Sequence, residues 1–371
     1  MAVYRIFPEK DTFIFSETLT GNAGKDEIIE IGGYSDISGA GHTSRVLLQY
    51  NTAEIEEVLA TKIQGASYRA TINLYLADAY QIPVDYTLYA YPIYATIDWD
   101  NGKGKYGDVP VDTSGVSWTH MSAGQQNEWI LTAYPTGVTG SYKTGYEGGG
   151  SWYTVSNGEG VQSSETFKLN SSNDVNLDVT TAVAQFVTGA LDNRGFIIKL
   201  PNTLEFNTTS SIRLKYYGAD TNTIYPPFLQ FKWDDSNYST GSLSVLNNSQ
   251  STITITNNKG KYPDVGKQRF RIASKPKYPA RVFSTVSTYL TNYALPSGSY
   301  WGLRDENTEE MVVDFDEQYT KVSCDSTGPF FDVYMDGLQP ERYYRILIKT
   351  ELDGSTVVVD NQNIFKVVRN G

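Results

Sequence analysis

Ala70-Thr-Ile-Asn-Leu-Tyr-Leu76 decides the fold. Ile72, Leu74 and Leu76 fall on one side and Thr71, Asn73 and Tyr75 on the other, the period of two that marks a half-buried β-strand. Similar short runs lie around it. Arg45-Val-Leu-Leu-Gln-Tyr50, Thr87-Leu-Tyr-Ala-Tyr-Pro-Ile-Tyr94, Phe196-Ile-Ile-Lys-Leu200, Ile212-Arg-Leu-Lys-Tyr-Tyr217 and Phe228-Leu-Gln-Phe-Lys-Trp233 all read as strands, with Pro92 placing its run at an edge or a bulge. Only two segments read as helices. Thr52–Ala60 carries Ile55, Val58 and Leu59 at helical spacing behind a cap at Asn51 or Thr52. Asp178–Gly189 carries Val179, Val183 and Phe186, with Gly189 as its stop.

After Trp233 the polar stretch Asp234–Ser242 breaks the pattern, and a boundary is placed near Thr240. Ser251-Thr-Ile-Thr-Ile-Thr256 then opens a second series. Arg269–Ala273, Tyr300–Leu303, Met311–Phe315, Phe330–Met335, Tyr344–Lys349, Thr356–Val359 and Ile364–Val368 follow at sandwich-like spacing, with Asp353-Gly354 as a hairpin turn. The reading is all-β. A β-sandwich with short helices spans 1–237, jelly-roll-like by the resemblance set out below, and a second β-sandwich spans 238–371, Ig-like by a further resemblance. The stretch near 98–165 is an exception, a Trp- and Gly-rich insertion that includes Gly145–Gly150. Loops of that length inside a domain are usually functional.

Composition narrows the function. The 371 residues include 1 Cys, 2 His, 28 Tyr and 6 Trp, with a formal net charge of −12. One cysteine permits no intrachain disulfide and no multi-Cys zinc site. An acidic chain is a poor partner for nucleic acid. No apolar run is long enough for a signal peptide or a membrane span, so the expectation is a soluble protein made in the cytoplasm without a membrane partner. His42, His120 and Cys324 lack a neighbouring nucleophile motif and read as loop or buried side chains. Asp98, Asp100 and Asp108, Asp234 and Asp235, and Asp314 and Asp316 read first as solvated turn carboxylates. A structural calcium is the alternative, and no other cofactor is expected. The chain is therefore read as non-enzymatic. The aromatic residues of the insertion, Trp99, Tyr106, Trp118, Trp129, Trp152 and Tyr153, are the candidates for a protein interface or for stacking on sugar rings, while some of them must be core.

Three resemblances add to this. Thr43–Tyr50, the strand to Leu76, Leu177-Asp-Val-Thr180 with its helix, Asp192-Asn-Arg-Gly-Phe-Ile-Ile-Lys-Leu200 and Pro226-Pro-Phe-Leu-Gln-Phe231 together resemble the DNRLRE-type modules of surface proteins, which are similar to carbohydrate-binding jelly rolls. Leu338-Gln-Pro-Glu-Arg-Tyr343 resembles the tyrosine corner of fibronectin type III and related Ig-like domains. That resemblance implies a structural role for Leu338, Pro340 and Tyr343, with Tyr344 as the alternative corner. Met1–Ile14, Pro226–Trp233 and the ending from Tyr343 to Arg369 resemble structural proteins of tailed bacteriophages. The resemblance implies a virion component of head, neck, tail or fibre, synthesised in the host cytoplasm. It would be a homo-oligomer or multicopy protein whose partners are other virion proteins. The alternative is a host-adhesion module that binds a glycan.

Overall fold

The computed structural model describes residues 2–36, 39–83, 85–129, 134–140, 148–168, 172–207, 211–279 and 291–369. The fold is all-β and sandwich-type, and the chain divides into two compact units. One comprises Ile6–Gln64 and Arg69–Gln230, the other Met1–Arg5, Gly65–Tyr68 and Phe231–Gly371.

The larger unit is built on a curled sheet in the order Ser163–Lys168, Asp85–Pro92, Phe196–Lys199, Gly41–Gln49, Ile28–Ser35, Ile212–Tyr217 and Leu76–Tyr80, with Lys10–Phe15 also paired to Gly41–Gln49. Every pairing in it is antiparallel. Ala70–Leu76 behaves differently from one continuous run. Tyr68–Leu74 pairs with Val175–Asp178 in a second sheet, and Leu76–Tyr80 then joins the curled one. Pro92 sits at neither an edge nor a bulge. It is the last residue of an interior strand and lies opposite Phe196, where the strand is ending and a lost N–H donor costs little. Thr52–Glu57 is helical behind Asn51, whose side-chain oxygen accepts from the amides of Ala53 and Glu54 at 2.9 and 3.3 Å. Thr180–Val187 buries Ala182, Val183 and Phe186, and Gly189 turns the chain at φ 71°.

The smaller unit holds two sheets. One runs Ser251–Ile255, Lys267–Pro276, Gly328–Tyr334, Ser323–Asp325. The other runs Lys261–Pro263, Ser355–Val368, Tyr343–Leu352, Tyr300–Asp305, Met311–Val313. Lys261–Pro263 pairs in parallel with the last strand. This order is that of an Ig-like sandwich. Trp301 lies buried on its strand and stacks on Phe331 with centroids 4.9 Å apart, at the centre of a core that includes Phe270, Ile346 and Phe365. Asp353 and Gly354 both adopt positive φ and close the hairpin between the last two long strands, as a two-residue turn requires. The two runs Thr356–Val359 and Ile364–Val368 are one strand with a bulge, since Ile346 faces Asn363 and Ile348 faces Val359.

The tyrosine corner is Tyr344, not Tyr343. The Tyr344 hydroxyl donates to the Gln339 carbonyl at 2.9 Å, and its ring is buried against Phe365. Tyr343 points outward and is exposed. Strand alternation forces the choice, because Tyr344 shares the inward face with Ile346 and Ile348. Leu338 is buried and Pro340 half-buried.

Candidate functional site

The insertion is anchored by its tryptophans. Trp99, Trp118, Trp129 and Trp152 are all buried, packed with Val116 and Met121 of the insertion on Ile14, Leu47, Ile93 and Ile197 of the strands. The Trp99 and Trp129 indole N–H groups donate to the carbonyls of Arg194 (2.8 Å) and Ser117 (3.0 Å). These four rings offer no face to a sugar or a partner, so the sequence-based assignment of them as exposed stacking or interface residues is corrected. Burying such large rings removes much apolar area from water, which is how an insertion with only short strands is held in order. Tyr153 is half-buried and meets Tyr94 edge to face. Tyr106 alone among the six candidates is exposed.

A buried ionic group locks this cluster. The Arg45 guanidinium lies over the Trp118 ring at 4.9 Å and the Trp152 ring at 5.3 Å. Its Nε and Nη2 donate to the two carboxylate oxygens of Glu205 at 2.9 and 2.8 Å, a bidentate pair, and Nη1 donates to the Gly149 carbonyl. Lys199 completes the group 2.9 Å from Glu205, and also donates to Leu200 O and Asn202 Oδ1. Arg45 and Glu205 have fully buried side chains. Burial pushes Lys199 down to about 8, although the Glu205 charge opposes it. Gly149 must be glycine. It sits at φ 79°, and a Cβ there would come within 2.6 Å of the Trp118 ring and 2.7 Å of Arg45 Nη1. Arg45, Lys199 and Glu205 were not legible as a group in the sequence, since they are brought together from three separate elements.

From this anchored base a loop projects. Asn22 is its hub. Its Nδ2 donates to Asn101 O (2.8 Å) and Val116 O (2.9 Å), and its Oδ1 accepts from the amides of Gly24 (3.1 Å) and Gly104 (3.0 Å). The Asn22 amide donates to Asp112 O and the Lys25 amide to Gly104 O. Further out, Tyr106 N donates to Asp26 Oδ2, Lys105 pairs with Glu27 at 2.7 Å, and Asp108 accepts the Lys105 amide. The Tyr106 ring packs edge-on against Phe15 and its hydroxyl donates to Glu17. What this frame presents is Val109-Pro110-Val111. Val109 is 95% exposed and Val111 47% exposed, with Pro110 exposed between them. Single exposed apolar residues are ordinary, but three in a row at the tip of a cross-tied loop form a ready contact surface. The sequence signal was present as Val-Pro-Val between Asp108 and Asp112.

Asp11 lies in the same unit as this loop base. It is buried, and its Oδ2 accepts the Ala219 amide at 2.7 Å. Desolvation raises its carboxyl to about 6, against the help of that hydrogen bond. A raised acid stabilises the fold fully below its unfolded value of 3.8, and that contribution is lost as pH rises through 6. Asp11→Asn keeps an acceptor for Ala219 without the charge. It is expected to stabilise the protein by about 1–3 kcal/mol at pH 7.5 and to gain nothing below pH 4. Urea midpoints at the two pH values check this, and an equal change at both would refute it.

The remaining sequence candidates are dispersed. Asp98 pairs with Lys10 at 2.6 Å, while Asp100 accepts the Ala123 amide. Among the described residues, no group of three or more His, Cys, Asp or Glu could hold a metal. His42 contacts Asp36 at 3.2 Å and His120 contacts Thr119 at 2.7 Å. Cys324 is buried, which pushes its thiol up. Among the described residues, no helix is long and apolar enough to cross a membrane.

No protein-family model matches the chain, and no curated protein matches it. Among solved structures it is similar to a DUF4785 family protein from Legionella pneumophila subsp. pneumophila str. Philadelphia 1. The identity is 9% and the TM-score 0.17, with 98% of this chain and 65% of that one covered. This chain therefore spans less than two thirds of that protein's length, and a likeness at this score carries no weight for fold or activity.

Proposed function

We propose that this chain is a non-enzymatic structural component of a tailed-phage virion, present in many copies and acting by protein–protein assembly. The virion part rests on the sequence resemblance. The assembly part rests on one observation, the rigidly tied loop that holds Val109-Pro110-Val111 out into solvent. An exposed apolar tip on an otherwise acidic chain gains free energy when a second protein covers it, at about 25 cal/mol per Å² of apolar surface removed from water. Because hydrogen bonds already fix the frame, little conformational entropy is lost on docking. The rival role, sugar stacking by the insertion's tryptophans, loses its platforms because those rings are buried.

The test is the double substitution Val109→Asp with Val111→Asp. Both side chains are exposed, so folding is expected to stay within about 0.5 kcal/mol of the parent. Self-association of the purified chain is expected to fall at least tenfold. Unchanged self-association would remove the loop from the interface.

A further inference from the structure

A second feature of the larger unit is not used by the assembly reading, although its Tyr34 shares Glu17 with Tyr106 of the loop frame. Ile212–Tyr217 alternates strictly. Ile212, Leu214 and Tyr216 are buried, while Arg213, Lys215 and Tyr217 take the more open face. The neighbouring strands continue that face. Tyr80 lies directly opposite Arg213, and Asp78 opposite Lys215. Together with Tyr34, Ser35 and Ser211 these residues line an open groove of about 320 Å³.

The polar groups of the groove are arranged unequally. Arg213 is fixed, with Nε and Nη2 on Glu30 and its plane 4.5 Å above the Tyr34 ring. Its Nη1 has no hydrogen-bond partner among the described residues. Tyr34 is itself fixed by its hydroxyl on Glu17 at 2.9 Å. Lys215 makes no ion pair among the described residues, although Asp78 is its cross-strand neighbour. Among the described residues, the Asp78 carboxylate accepts only its neighbour's amide, Ala79 N. Tyr80 is 58% exposed and presents a ring at the groove edge.

We propose that this groove binds an acidic saccharide, a hydroxylated ring bearing a carboxylate. Lys215 Nζ and Arg213 Nη1 supply two donors for the carboxylate. Asp78 accepts from ring hydroxyls at the Lys215 end, and the Ser211 hydroxyl lies at the other end of the groove, beside the Ser35 amide. Tyr80 offers a flat apolar face for the C–H side of the ring. A purely apolar ligand would strand Lys215, the open Arg213 Nη1 and the Asp78 carboxylate. A neutral sugar would leave Lys215 without a counter-charge, while Arg213 keeps its pair with Glu30. A free inorganic anion would leave Tyr80 and Asp78 without a role.

Isothermal titration of the full chain with trigalacturonate at low salt tests this, with neutral galactotriose as control. Trigalacturonate is expected to bind. Tyr80→Ala and Lys215→Ala should each weaken it at least tenfold, about 1.4 kcal/mol, and added salt should weaken it further. Galactotriose should bind at least tenfold more weakly. Thermal unfolding of both variants should match the parent, because Tyr80 is exposed and Lys215 makes no ion pair among the described residues. The Val109→Asp, Val111→Asp chain should bind trigalacturonate normally, which separates this site from the assembly loop. No binding of trigalacturonate, equal binding of the neutral trisaccharide, or binding untouched by either substitution would overturn the proposal.

Discussion

Replacing Arg45 by alanine is expected to destabilise the larger unit by about 3–5 kcal/mol. The reason is asymmetry. The intact group has its buried charges paired and hydrogen-bonded, whereas the variant leaves the fully buried Glu205 carboxylate with Lys199 alone. The Trp118 and Trp152 rings also lose the guanidinium that lies against them, and Gly149 O loses a donor. Arg45→Lys should recover little, since an ammonium cannot make the bidentate contact and the stacking together. Urea unfolding followed by tryptophan emission reads this out, because four of the six tryptophans belong to the anchored insertion. A double-mutant cycle with Glu205→Gln should show coupling well above about 1 kcal/mol. A loss below that value for Arg45→Ala would mean that the insertion is held by packing alone.

Trp118→Ala is the second large effect, again about 3–5 kcal/mol. Trp118 has no exposed surface and fills the space between Arg45 and the Gly148–Gly149 backbone, so alanine leaves a cavity that a close-packed interior closes only partly. The measurement discriminates between two accounts of the same residue. A sugar-stacking tryptophan would be lost with native stability and missing glycan binding. A core tryptophan is lost with a lowered unfolding midpoint, and the trigalacturonate affinity of the folded fraction is unchanged. Native stability in this variant would contradict the placement of the ring.

Much of the fold was legible because alternation is a local property. Ile212–Tyr217 and Ser251–Ile255 announce their faces in a few residues, and the Asp353-Gly354 turn announces its hairpin. Leu338-Gln-Pro located the tyrosine corner to within one residue. The choice of Tyr344 over Tyr343 needed the strand phase, which two adjacent tyrosines conceal. The site was harder. Tryptophan in a Gly-rich stretch reads equally as a ligand platform or as an anchor, and only burial separates the two. Arg45, Lys199 and Glu205 carry no mutual spacing, because the topology alone brings them together. Val109 and Val111 carry no local pattern that marks them, because the ties from Asn22 and Asp26 that fix the loop beneath them come from a distant segment.

Sedimentation velocity on the purified chain, run over a range of concentrations, tests the assembly claim most directly. The parent is expected to form species heavier than the 41.3 kDa monomer as concentration rises, and the Val109→Asp, Val111→Asp chain is expected to remain at the monomer mass. Identical sedimentation of the two proteins, whether both monomeric or both associated, would contradict it.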